Sequence, residues 1–133
     1  MTTNTIHHEQ VAALQGATAP VQTRWSYRDD EPFAITVAFC TERGQWVEWV
    51  FARDLLITGL DQPAGLGDVQ IRPDHEDDEL LILAISSPSG YAVFELGRDA
   101  TEDFLHTTLE LVPAGTESAY FDVDRLLEEI SGV

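Results

Sequence analysis

The sequence predicts an α+β domain in which about seven strands form antiparallel β-sheets and three helices pack against them. Strand-like patterns dominate the chain up to residue 97, apart from one short helical segment. After residue 97, helical periodicity dominates. The 133 residues are 44% hydrophobic, which is enough for one core. We therefore expect a single domain over residues 1–133.

The first half reads as four strands joined by turns. The first two predicted strands are His8–Leu14 and Val21–Tyr27. The turn residues from Asp29 to Pro32 separate the second from a third strand at Phe33–Thr41. A short connection rich in turn residues then predicts a hairpin to a fourth strand at Gln45–Ala52.

The third strand alternates in size. Its large side chains share one face and predict a core contact: Phe33, Ile35, Val37 and Phe39. Its small side chains share the other face: Ala34, Thr36, Ala38 and Cys40. The small face predicts that a helix approaches closely, so that this strand is covered on both sides.

The fourth strand alternates as well, and a short helix follows it. Val47, Trp49 and Phe51 are expected on one face, and Trp46, Glu48 and Val50 on the other. Arg53–Thr58 reads as a helix, and Gly59 is expected to end it in a left-handed conformation.

Three strands and two helices are predicted in the second half. The strands are Asp68–Arg72 and a hairpin of Leu80–Ser86 with Tyr91–Leu96. Asp99 with Glu102 predicts a capping box for a helix that Pro113 stops, and Asp122 predicts the start of a last helix that ends at Gly132. The last helix repeats apolar residues at helical spacing: Val123, Leu126, Leu127 and Ile130.

The charge excludes several classes of function. All seven basic residues are arginines, and twenty-four acids give a net charge of −17. Without lysine the chain has no P-loop lysine and no Schiff-base amine. So acidic a chain also repels phosphate backbones and anionic lipid surfaces, which disfavours binding to nucleic acid or to a membrane.

No residue pattern predicts catalysis or a bound metal. The four histidines lack ligand spacing, and the single Cys40 cannot form a thiolate cluster. The acidic run Asp74–Glu79 lacks the glycine of a calcium loop and reads as a solvated loop. We therefore predict no catalytic residues, no cofactor and no metal. Since the chain shows neither a signal peptide nor eighteen consecutive apolar residues, we expect a cytoplasmic protein without membrane insertion.

The segment Val47–Leu56 resembles the SsgA-like family of actinobacterial sporulation and cell-division proteins. The resemblance spans about residues 20 to 130 and is nearest to SsgB-type members. Further family-like blocks follow in order: Gly59–Leu60, Gly65–Val69, Ser86–Gly90, Phe104–Leu105, Val112–Glu117 and Phe121–Asp124.

This resemblance implies a non-enzymatic regulator of sporulation-specific cell division. It implies a protein-binding adaptor that positions the septum machinery, with the division GTPase FtsZ and other SsgA-like proteins as partners. It also implies a fold similar to the Whirly single-strand binders and a homo-oligomer, with a trimer favoured over a dimer. A Whirly-like binder of single-stranded nucleic acid is the alternative function, and the net charge of −17 argues against it.

Three residues are predicted to bind a partner: Trp46, Arg53 and Asp54. Each has a structural alternative. Trp46 could fill the core or a subunit interface, Asp54 could cap the short helix, and Arg53 could pair with a nearby acid.

Overall fold

The computed structural model describes residues 3–121 and 123–131. Seven strands form one antiparallel sheet in the order β4-β3-β2-β1-β7-β6-β5. The strands are β1 (Thr5–Leu14), β2 (Val21–Arg28), β3 (Ala34–Cys40), β4 (Trp46–Ala52), β5 (Val69–Pro73), β6 (Leu80–Ser87) and β7 (Gly90–Gly97). The helices are α1 (Arg53–Gly59), α2 (Arg98–Leu111), a 3-10 turn (Glu117–Ala119) and α3 (Val123–Ser131).

The α+β class with seven antiparallel strands and three helices is therefore confirmed. The similarity of this fold to that of the Whirly single-strand binders stays a prediction. The expected ends of the last helix, Asp122 and Gly132, lie outside the described residues.

Strand β1 joins the two halves of a strongly curled sheet. Residues 5–12 pair with β2, whereas Ala13 and Leu14 pair with β7. The curl brings Phe39 of β3 onto Phe94 of β7, with ring centroids 4.4 Å apart, although β2 and β1 lie between these strands. The inner face of the sheet is thus one continuous core surface.

Helix α2 fills the inside of the curl. Its Phe104 packs against Trp25, which is fully buried and also meets Phe51 edge-to-face at 6.0 Å. Thr101 of the helix accepts a hydrogen bond from Gln10 of β1 at 3.1 Å. These contacts fix α2 over the centre of the sheet, because buried aromatic rings carry large apolar areas.

The outer face of β3 is not covered by a helix, contrary to the prediction. The large residues Ile35, Val37 and Phe39 are buried as predicted, but Phe33 precedes the strand and is exposed. The small residues opposite them are only half-buried, and their cross-strand neighbours Arg24 and Glu48 are exposed. The prediction that this strand is covered on both sides is therefore wrong.

The start of helix α2 also differs from the prediction. Helix α2 begins at Arg98 after Gly97, and no side chain caps it, so Asp99 lies in its first turn rather than at the cap. The reason is that β7 runs directly into the helix without a connecting loop. The last helix follows the predicted apolar spacing.

Gly59 is required by packing rather than by its backbone conformation. Its φ is not positive, and α1 continues to it. A Cβ at this position would lie 2.6 Å from Cγ2 of Ile71, a buried residue of β5. The predicted left-handed ending is wrong, and the close approach of α1 to β5 explains the glycine instead.

We predict that Gly59→Ala lowers the free energy of unfolding by about 1–3 kcal/mol, because the added methyl group overpacks the α1–β5 contact. Urea unfolding measures the loss. Gly67→Ala is the matched control, since a Cβ there meets no atom within 4 Å. Equal stabilities of the two variants would contradict the packing explanation.

Candidate protein-interaction surfaces

Arg53, predicted as a partner contact, lies inside the fold. Its side chain is 1% exposed, and its Nη1 donates hydrogen bonds to the carbonyls of Thr108 at 3.1 Å and Val112 at 2.7 Å. These carbonyls belong to the carboxyl end of α2, where a cation complements the helix dipole. The guanidinium also lies 5.0 Å from the ring of Tyr27.

Glu117 completes the surroundings of this buried charge. Nη2 of Arg53 donates to its Oε1 at 2.9 Å, and the backbone N–H of Gly115 donates to the same carboxylate. The backbone hydrogen bonds from Gly115 and from Glu117 itself, and then the hydrogen bond and charge of Arg53, hold the pKa of Glu117 below its usual value. Burial raises the pKa of Tyr27 to about 12, so its hydroxyl stays protonated and donates to the carbonyl of Pro32. The structural alternative for Arg53, pairing with an acid, is thus what the structure shows.

Asp54 lies beside Arg53 in the chain but is exposed. It occupies the first turn of α1, where its negative charge complements the helix dipole. It does not cap the helix, because the cap position is Ala52 and no side chain forms a capping hydrogen bond there. A role of Arg53 or Asp54 in binding a partner stays a prediction.

Trp46 is half-buried on the outer face of the sheet, away from the core. The guanidinium of Arg24 lies 4.0 Å from the centre of its ring, and Arg24 also pairs with Glu9 at 3.0 Å. Trp46 begins β4 and Arg53 follows it, so the two residues stand roughly 23 Å apart along the strand. The three predicted site residues therefore do not form one cluster.

An apolar groove, which no sequence pattern indicated, lies beside β4. It has a volume of about 310 Å³ and separates the start of β4 from the β6–β7 hairpin. The stacked rings of Phe39 and Phe94 contribute to its lining together with Val47, Trp49 and Tyr91, and Tyr91 is 80% exposed. The sequence signalled only that Val47 and Trp49 share a face.

Helix α3 leaves an apolar face exposed. Val123, Leu126, Leu127 and Ile130 all lie on it, and Ile130 is 73% exposed. The helix is held near the β2–β3 turn by the rings of Phe33 and Phe121, whose centroids are 6.4 Å apart.

The described part of the chain contains neither a cluster of metal-binding side chains nor a membrane-spanning helix. Within residues 3–121 and 123–131, no three His, Cys, Asp or Glu side chains are grouped so that they could hold a metal ion. In the same part of the chain, no helix is long and apolar enough to cross a membrane. The carboxylates of Asp74 and Asp77 accept backbone hydrogen bonds within their own loop.

Comparison with known proteins identifies the class. Residues 21–117 match the family described as "Streptomyces sporulation and cell division protein, SsgA". The chain belongs to this family of sporulation and cell-division proteins, as its sequence blocks predicted.

Within the family the chain is of SsgB type. It is 46% identical to the sporulation-specific cell division protein SsgB of Saccharopolyspora erythraea, over 89% of this chain and 84% of the relative. It is 39% identical to SsgB of Streptomyces coelicolor, over 92% and 90% of the two chains.

Two solved structures share the fold. An SsgA-like sporulation-specific cell division protein from Thermobifida fusca matches with a TM-score of 0.85 and 39% identity over 97% of both chains. A structure from work on SsgB mutations and longitudinal cell division in sporulating Streptomyces coelicolor matches with a TM-score of 0.83 and 37% identity. That match covers 90% of this chain and 97% of the other.

We predict that Glu117→Gln destabilises the fold at neutral pH but not in acid. Since the folded pKa of Glu117 lies below its ordinary value of 4.5, the ionised carboxylate stabilises the fold above that pH. This contribution is lost as the pH falls through the folded pKa. Urea unfolding of wild type and variant from pH 7 to pH 3 should therefore show a difference that is constant above about pH 5 and shrinks below it.

Arg53→Met is the control for this pH series. It removes the donors to Thr108 and Val112 as well as the partner of Glu117, so it should destabilise the fold across the whole range, by about 3 kcal/mol at pH 7. A Glu117→Gln deficit that does not change with pH would contradict the role of the ionised carboxylate.

Proposed function

We propose that this chain is a non-enzymatic, protein-binding adaptor of sporulation-specific cell division. In this proposal it acts in the cytoplasm at the division septum, where it binds FtsZ and other SsgA-like proteins. Membership of a family of sporulation cell-division proteins supports the process. The molecular role rests on the structure.

The observation that carries the proposal is that a helix and a strand of the fold expose apolar side chains to solvent. Helix α3 exposes one whole apolar face, and β4 exposes Val47 at the groove and Val50 on the outer face of the sheet. Contiguous exposed apolar surface is typical of sites where another protein docks. An adaptor needs at least two such surfaces, one for its own assembly and one for its partner.

The arrangement of charge supports a protein partner over a phosphate backbone. Five of the seven arginines pair with carboxylates of the described chain: Arg24, Arg28, Arg53, Arg98 and Arg125. Binding of single strands requires a positive groove, and these pairings neutralise most of the cations that could form one.

We predict that the chain forms a homo-oligomer, with a trimer favoured over a dimer, through the apolar face of α3. Light scattering should then give three times the 14.8 kDa of one chain. Leu127→Asp should shift the mass to that of a single chain, because it places a charge on the apolar face. Glu128→Gln, on the same helix, is the control and should leave the assembly intact. A monomeric wild type at micromolar concentration would contradict the prediction.

We predict direct binding to FtsZ, with an association rate that falls as salt is added, because the acidic surface steers encounter with basic groups. Trp46→Ala should weaken the binding at least about tenfold while the oligomer stays folded. Leu66→Ala, which alters an exposed apolar residue in the loop before β5, is the matched control. Surface-immobilised FtsZ with optical detection of binding measures both rate and affinity.

Two results would count against this prediction. Loss of folding in Trp46→Ala would show that the residue stabilises the outer face of the sheet or a subunit interface. A folded variant with unchanged affinity would remove Trp46 from the binding surface.

A further inference from the structure

The two edges of the sheet are built differently. At the β5 edge, Ala64 and Ile71 exchange both of their backbone hydrogen bonds, at 2.9 Å and 3.0 Å. The next outward-facing position of β5 is Pro73, which has no N–H to donate. The chain thus closes this edge with a loop residue and a proline, two common ways in which proteins block unwanted strand pairing.

The β4 edge is open. The N–H of Thr41 donates to the carbonyl of Gln45 at 2.7 Å, and the N–H of Arg53 donates to the carbonyl of Phe33 at 2.8 Å. Because hydrogen-bonded pairs alternate in an antiparallel ladder, these two bonds fix which residues between them bond to β3. The backbone groups of four residues point away from β3, to the open edge: Trp46, Glu48, Val50 and Ala52.

In the described part of the chain, no other strand pairs with this edge, and no proline interrupts it. In residues 3–121 and 123–131, β4 forms strand pairs only with β3. The strand has seven residues, contains no proline and carries one charge, that of Glu48. An exposed apolar edge of this length is a template for pairing with another strand.

The apolar groove lies on the inner side of the same edge. An added strand places alternate side chains on opposite faces of the sheet. Those on the inner face would lie beside Val47 and Trp49 and enter the groove in front of Tyr91. The edge and the groove are therefore two parts of one site, in which the backbone supplies hydrogen bonds and the groove selects apolar side chains.

The negative charge around the β4 edge indicates which kind of segment binds there. On the outer face, the carboxylate of Glu48 is exposed next to these backbone groups, and the chain carries a net charge of −17. A second copy would bring the same excess of negative charge, and two β4 strands paired about Glu48 would oppose two carboxylates. A basic segment of another protein is attracted by both features.

We propose that β4 is a docking edge for an extended segment of a partner protein, in which apolar residues alternate with Lys or Arg. The segment adds to the sheet as an eighth strand, with its apolar side chains in the groove and its basic side chains beside Glu48. This inference rests on the proposed function, in that it names the surface and the chemistry through which an adaptor would bind.

Amide exchange measured by NMR tests the proposal residue by residue. The probe is the alternating peptide acetyl-RIRVRIRV-amide, and the control is acetyl-RRRRIIVV-amide, which has the same composition and charge. With the alternating peptide at ten times its Kd, the amides of Glu48 and Val50 should exchange roughly tenfold more slowly. The amides of Val47, Trp49 and Phe51 already bond to β3 and should not change.

Three outcomes of this experiment would overturn the proposal. Equal protection by the control peptide would show attraction by charge alone. Protection outside β4 and the groove would show another site. Protection of Glu48 and Val50 in the free chain that disappears on dilution would show that a second copy occupies the edge.

A backbone variant separates hydrogen bonding from side-chain effects. Val50→Pro removes an N–H that points to the open edge and donates no hydrogen bond to β3, so the fold should survive. It should lower the affinity for the alternating peptide and for FtsZ at least about tenfold. Val50→Thr keeps the N–H and should bind like wild type. Equal binding by folded Val50→Pro would overturn the proposal, and if that variant does not fold, the exchange pattern of the wild type decides.

The two proposals can fail separately. If FtsZ binds wild type and Val50→Pro equally well, the docking edge is wrong and the adaptor function stands. If FtsZ binds neither protein, yet the alternating peptide protects Glu48 and Val50, the FtsZ proposal is wrong and the docking edge stands.

Discussion

The guanidinium of Arg53 joins β4 and α1 to the carboxyl end of α2 and to the turn that carries Glu117. A buried charge is tolerated only where it is paired and hydrogen-bonded, so each of these contacts constrains the others. Helix α1 must begin directly after β4, and α2 must end within reach of Arg53. The position of α2 inside the curled sheet follows from this constraint together with the packing of Phe104.

A curled sheet that does not close into a barrel has two edges, and this chain treats them unequally. The β5 edge is closed by the bridge of Ala64 with Ile71 and by Pro73, whereas β4 keeps its outward backbone groups open. Exposed apolar surface is found beside β4 and on α3. The surfaces available to other proteins are therefore set by what the fold leaves uncovered, not by a cluster of reactive side chains.

Local patterns were sufficient for the elements but not for how they meet. Alternation of apolar residues predicted the β4 faces correctly and the strands too, apart from Phe33, because side-chain direction in a strand depends only on its period of two. The usual local roles of a glycine after a helix and of an acidic residue before one do not apply at Gly59 and Asp99. The close approach of Ile71 to Gly59 and the direct passage from β7 into α2 are contacts and connections that no local rule contains.

The sequence by itself determined the α+β class, the amphipathic α3, the acidic character and, through its motif blocks, the family. Tertiary structure alone decided which predicted site residues are accessible. It buried Arg53 against α2, left Asp54 exposed and set Trp46 at the far end of β4. The physical reason is that burial and strand pairing depend on neighbours distant in sequence, and these also decide which edge of a sheet stays open.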